Sequence, residues 1–172
     1  MIFAESMEST YSKEDYWGDN LIPELTELAR ENINFSDDND VGGFYNLEGA
    51  HFTQASLAAQ LCAIPLRLPI KSSHFRPANG FLKGAICLSD ILKSDGYNQS
   101  FMIGMSRKYA GTDKFFESHA NVKILDLDYY LERYDLWNKL GYKTRRTIRD
   151  FDLFNFAKEE LLELSAKPEP FA

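Results

Sequence analysis

Positive charge is in short supply: 19 Lys and Arg stand against 26 Asp and Glu, a formal net charge of −7. Nonspecific nucleic-acid binding relies on a basic face, so no nucleic acid is expected as a partner. Long apolar runs are missing too. A membrane helix needs ~20 consecutive apolar residues, and no stretch approaches that; no signal-peptide pattern is present either. Histidine is limited to His51, His74 and His119, without the i, i+4 spacing of a helical zinc pair. Cys62 and Cys87 are the only cysteines, too few for a metal knot. No internal repeat and no low-complexity linker break the chain.

What is present suits a folded domain. The 172 residues are 44% hydrophobic and 14% aromatic, enough for one substantial core. The runs Asp37-Asp38-Asn39-Asp40 and Glu159-Glu160 with Glu163 read as solvated surface. Asn20 is placed to cap a helix with Pro23 in its first turn and a stripe of Leu21, Leu25, Leu28 and Ala29. Asn34-Phe35-Ser36 reads as a short extended piece. A second helix starts at Thr53, and Ile64 to Pro69 is an extended connection. Lys71 to Gly80 is a polar loop. Ile86, Leu88, Ile91 and Leu92 mark a third helix, stopped at Asp95-Gly96. Ser100 to Gly104 and Val122 to Leu125 read as buried strands, followed by helices over 129–140 and 151–164. Strands alternating with helices predict an α/β fold with a mainly parallel sheet covered on both faces. Met1 to Ala4 reads as the end of a strand, and Lys167 to Ala172 as the approach to another; both ends are expected to be cuts through a larger protein.

Two residues carry the candidate chemistry. Ile2-Phe3-Ala4-Glu5 delivers a carboxylate beyond a strand end, where parallel sheets gather ligands. Thr53 follows the loop Gly49-Ala50-His51-Phe52 at a helix start. A threonine hydroxyl becomes a useful nucleophile when a divalent metal lowers its pKa, and a helix N-terminus favours both the alkoxide and incoming phosphate oxygens. The plainer alternatives are a helix cap for Thr53 and a solvated acid in a turn for Glu5. His51 stands two residues before Thr53, where it can contact a phosphate, though a lone histidine in such a loop is more often incidental. Arg107-Lys108-Tyr109 follows a strand and suits either an anion-binding loop or a surface turn. Cys62-Ala63-Ile64-Pro65-Leu66-Arg67 has its proline one residue too far for the Cys-x-Pro-x-Arg signature of sulfatases, so a cysteine-derived nucleophile is rejected. Cys62 and Cys87 read either as two buried thiols, the reading placed slightly ahead, or as a disulfide in an oxidising compartment.

Four blocks in order carry a resemblance: Glu5-Ser6-Met7-Glu8-Ser9-Thr10-Tyr11; Phe52 to Leu66; Gly84 to Tyr97; and Tyr109 to His119. Together they resemble the phosphoglycerol transferases that decorate periplasmic glucans. That family is similar to lipoteichoic acid synthases and phosphoethanolamine transferases of the alkaline phosphatase and sulfatase superfamily. The resemblance covers residues 2 to 120; residues 121 to 172 match loosely. It implies the N-terminal portion (1–172) of a three-layer α/β/α catalytic domain, truncated here, in the periplasm. Attachment to the inner membrane would be through segments outside this chain. It further implies a divalent metal, manganese, with Glu5 as metal ligand and Thr53 as both ligand and catalytic nucleophile. His51, Lys108 and Tyr109 are the candidate substrate-binding residues. The chain departs from the family in having Ala50 where a small or hydroxyl residue is usual and Ala63 where Gly is usual. The family's later Asp-His metal ligands are expected beyond this chain.

The implied reaction passes a phosphoglycerol group from phosphatidylglycerol, or from an already substituted glucan, to a glucan hydroxyl through a covalent phospho-threonine. Alternatives are phosphoethanolamine transfer by the same chemistry and a non-catalytic remnant. Taken alone, the chain is expected to be inactive and to bind Mn²⁺ weakly or not at all.

Overall fold

The computed structural model describes residues 1–36, 41–42, 45, 47–67, 76–139 and 146–172. The acidic run 37–40 and the first half of the polar loop, 71–75 with His74, lie outside the described residues. Two units are distinguished, Met1–Leu47 and Glu48–Ala172.

The first unit holds a 3-10 turn over Ser9–Ser12, a single-turn helix α1 (Glu14–Trp17) and α2 (Pro23–Glu31). Gly18 closes α1 in the left-handed conformation, φ 75°, which glycine adopts without a side-chain clash. Pro23 opens α2 as expected, but Ile22 rather than Asn20 is its cap residue. Asn20 still organises the start: its Oδ1 accepts from the Ile22 amide at 2.9 Å and its Nδ2 donates to Thr26 Oγ1 at 3.1 Å. The leucine stripe does not enter a core: Leu21, Leu25 and Leu28 are about half exposed, and Thr26 is the buried residue of α2. Ile2 to Ala4 form no strand, and Glu5-Ser6 make a turn with Ser6 at φ 60°. The strand reading of this segment is therefore corrected. Met1 and Ile2 bury too little to reward pairing; both side chains are more than three-quarters exposed.

The second unit carries α3 (Thr53–Cys62), α4 (Leu88–Ser94), β1 (Ser100–Met102), α5 (Thr112–Ser118), β2 (Lys123–Leu125), α6 (Leu127–Arg133), α7 (Leu136–Lys139) and α8 (Asp150–Ser165). β1 and β2 pair in parallel, with Phe101 opposite Ile124. Phe171 makes an isolated parallel bridge to Asn98. The Asn98 and Ser100 amides donate to Pro170 and Ala172, whereas Ile103 donates to Leu125. Alternate amides point to opposite sides of a strand, so the C-terminal segment lies on the edge of β1 away from β2. Lys167 to Ala172, expected to approach another strand, reaches the edge of β1 through this single bridge.

The observed class is α/β with a small parallel sheet. Among the described residues the sheet has two strands, so the expected three-layer architecture is not seen in full. Two apolar clusters fill the unit. Phe81, Cys87, Phe115 and Phe116 pack with Leu61, Cys62 and Phe101 behind α3 to α5. Leu125, Tyr130, Leu131, Leu136, Ile148 and Phe156 join β2, α6, α7 and α8. Glu160 on α8 is 6% exposed and accepts from Ser100 Oγ at 2.6 Å and from Lys123 Nζ at 2.9 Å, fastening α8 to both strands.

Candidate functional site

Thr53 is the first residue of α3, with Phe52 as the extended cap residue at φ −137°, ψ 158°. It is therefore a first-turn hydroxyl and not the cap. The apolar side chains of Ala55, Leu57 and Ala58 bury one side of α3 completely or nearly so. The loop before the helix is fixed from behind. Leu66, past the end of α3, donates its amide to the Gly49 carbonyl at 2.7 Å. Gly49 sits at φ 82°, and a Cβ there would meet Leu66 backbone atoms at 3.3 Å, so the close approach needs glycine. His51 is exposed, its ring edge-to-face with Phe52 at 5.5 Å.

Behind Thr53, Gln54 is fully buried, and its Oε1 faces Thr112 Oγ1 at 3.3 Å at the start of α5. Thr112 Oγ1 also reaches the Tyr109 carbonyl at 3.0 Å. The 3-10 turn Tyr109–Gly111 is therefore tied to the residue next to Thr53. Lys108 and Tyr109 are both exposed on this turn. Arg76 reinforces it, donating to the Lys108 carbonyl at 2.7 Å and to Asp113 Oδ2 at 2.7 Å.

Arg107 is engaged within the chain. Its amide and guanidinium donate to the two oxygens of Asp126, each at 2.9 Å, and the guanidinium also reaches the Ile124 carbonyl at 3.1 Å. Asp126 is fully buried and caps α6. Burial alone would push its carboxyl up, but the hydrogen bonds and charge of Arg107 outweigh that and hold it below the usual range. Lys108 and Tyr109 are left as the exposed side chains of this loop.

Cys62 and Cys87 are joined in a disulfide, with Cα atoms 4.1 Å apart. That corrects the preference for two thiols. The bond ties the last residue of α3 to the cap residue of α4. Beside it His119 is 1% exposed, with Nδ1 2.9 Å from Asp90 Oδ2 and Nε2 2.9 Å from the Phe81 carbonyl. Burial raises the Asp90 carboxyl, yet the Cys87 amide and His119 pull it down to a net value below the ordinary one.

For the implied divalent ion, Glu5 and Thr53 offer hard oxygen donors of the type manganese takes. Glu5 lies exposed in its turn in the first unit and Thr53 half-buried in the second. By type the donors fit; by number, two do not complete a shell of about six. Among the described residues, the group of three metal-ligating side chains close together is instead Cys62, Cys87 and His119. With its sulfurs bonded to each other, that group is not a thiolate site as it stands.

Sequence reading missed the Arg107–Asp126 pair, the Gln54–Thr112 contact and the His119–Asp90 pair. One signal was available: Asp126, directly after a strand and ahead of a helix, is a preferred cap residue.

The chain is similar to curated proteins named phosphoglycerol transferase I from Citrobacter koseri, Salmonella paratyphi B and Salmonella newport. Each is 37% identical over 119 residues, covering 69% of this chain and 15% of the relative. The chain belongs to the phosphoglycerol transferase family. No protein-family model matches it, and no solved structure does. The matched stretch is thus a small part of the length of those phosphoglycerol transferases. No helix among the described residues is long and apolar enough to cross a membrane.

Proposed function

We propose that this chain is part of a metal-dependent phosphoglycerol transferase in which Thr53 is the nucleophile. The observation that carries the reading is the place of Thr53: a hydroxyl in the first turn of a ten-residue helix, in a chain similar to phosphoglycerol transferases. First-turn amides lack intrahelical partners, and they favour phosphate oxygens and a developing alkoxide. Thr53 Oγ1 gives up its proton and forms a bond to phosphorus, while the bond from phosphorus to the donor's leaving oxygen breaks and that oxygen is protonated. An acceptor hydroxyl then takes the phosphoglycerol group from Thr53 and returns the proton. A divalent ion, manganese by the family resemblance, would be held by Glu5 and Thr53 with ligands from further residues, and would stabilise charge on the phosphate.

The donor in this reading is phosphatidylglycerol or a phosphoglycerol-substituted glucan, and the acceptor is a glucan hydroxyl. Lys108 and Tyr109 are proposed to contact the glycerol phosphate, with His51 near the phosphate. The setting is the periplasmic side of an inner membrane, with anchoring by segments outside these residues. The relatives' names favour phosphoglycerol over phosphoethanolamine.

The test is kinetic, in the full-length protein that contains this chain. Thr53→Ala should remove turnover, while the circular dichroism spectrum and unfolding midpoint stay close to wild type. Retained turnover in a folded Thr53→Ala protein would refute the assignment.

A further inference from the structure

Cys62, Cys87 and His119 offer one ligand atom each within 4.8 Å of one another, at the buried junction of α3, α4 and the end of α5. None of them has a part in the phosphoglycerol chemistry, and the inference below does not rest on that reading. We propose that, once the Cys62–Cys87 bond is reduced, these three residues form a binding site for a thiophilic divalent ion of the zinc class.

Three observations point there. The ligand set is two thiolates and one imidazole, the donors that select zinc over manganese or magnesium. His119 is nearly inaccessible to solvent, and Asp90 on α4 holds its ring at 2.9 Å. A carboxylate on one ring nitrogen orients the other and raises its basicity, as in carboxylate–histidine–zinc arrangements. The surroundings are dry and rigid: Phe81, Phe115 and Phe116 pack about Cys87, and the His119 ring lies 5.0 Å from that of Phe115. Cys62 is the half-buried member and Cys87 the fully buried one, so a reductant enters at Cys62.

The steps balance. A dithiol or phosphine reductant supplies two electrons and is itself oxidised. The sulfur–sulfur bond breaks, and each sulfur takes a proton. Binding the ion then expels both thiol protons. In the bound state His119 is the neutral ring, its proton on Nδ1 towards Asp90 and its Nε2 lone pair on the ion in place of the contact with the Phe81 carbonyl. Three protein ligands leave a fourth tetrahedral position for water.

Cobalt(II) in place of zinc gives the readout. The chain reduced with a phosphine, which adds no thiol of its own, is titrated with cobalt(II). Thiolate-to-cobalt charge-transfer absorption and tetrahedral visible bands at one ion per chain are expected. Zinc should abolish them, and the unreduced chain should not show them. His119→Gln should weaken binding at least tenfold with both thiolates intact. Should that variant fail to fold, X-ray absorption of the zinc-loaded wild type decides, with two sulfur and one imidazole scatterer expected. Absence of the bands after verified reduction overturns the proposal, as do bands unaffected by His119→Gln or a sulfur-only shell. An ion at Glu5 and Thr53 would give no thiolate band, so the two sites cannot be confused.

Discussion

Ala63 shows what one residue can cost. It caps α3 in the left-handed region, φ 56° and ψ 31°, and donates its amide back to Ala58 and Ala59. The resembled family usually has glycine here, and the backbone explains why: glycine occupies this region without the penalty that Cβ brings. Ala63 is exposed, so its methyl group has little packing to lose. Ala63→Gly is therefore expected to stabilise the chain by up to about 1 kcal/mol, read as a higher denaturant midpoint at unchanged slope. Arg107 makes the opposite case. Arg107→Ala strips the buried Asp126 of its guanidinium and should cost about 2 kcal/mol, the scale of a charged hydrogen bond. The pH dependence follows from the signs. Asp90, Asp126 and Glu160 all have folded-state values below their ordinary 3.8, 3.8 and 4.5. Their contribution is full above about pH 5 and falls away as pH drops through the folded-state values. Arg107→Ala should flatten that acid limb in a pH series of unfolding midpoints, because the Asp126 part of it is gone.

At the scale of elements, α8 is held by two different means. Its Phe156 stacks on Tyr130 and Tyr134 at 4.9 and 4.1 Å between ring centres, and Glu160 bridges the two strands. Burial and the hydrogen bond to Glu159 push the Tyr134 hydroxyl up to about 12. Phe156→Ala should cost about 3–5 kcal/mol, as for other large aromatic deletions from a core. Hydrogen exchange should then show α8 and β2 losing protection before α3. Much of this layer was legible in the sequence. Both strands, α3 and α8 lie where apolar runs and periodicity put them. α5 was missed because two of its buried residues, Thr112 and Asp113, are polar, which leaves the adjacent Phe115 and Phe116 as its apolar signal. The expected helix over 129–140 is split because Asp135 turns left-handed at φ 50° between α6 and α7. The α2 stripe was legible as a pattern, yet it is half exposed, since periodicity reports which residues share a face and not what covers it. Of the candidate site, the helix-start position of Thr53 could be read; the pairing of Arg107 could not, because it depends on a contact 19 residues away.

Over the whole molecule, the disulfide is the covalent tie in the second unit, closing a loop of 25 residues. In the chain-entropy account a loop of that length contributes about 3 kcal/mol. Reduction should lower the unfolding midpoint accordingly, and zinc should restore part of the loss if the reduced site forms. The proposed chemistry turns on Thr53. The most direct measurement is peptide mass spectrometry of the full-length protein, quenched during turnover with a phosphoglycerol donor. A peptide bearing one phosphoglycerol group on Thr53, absent without donor and absent in Thr53→Ala, is the predicted result. The same group found on another residue, or acceptor product formed while Thr53 stays unmodified under conditions that trap the intermediate, would contradict the account.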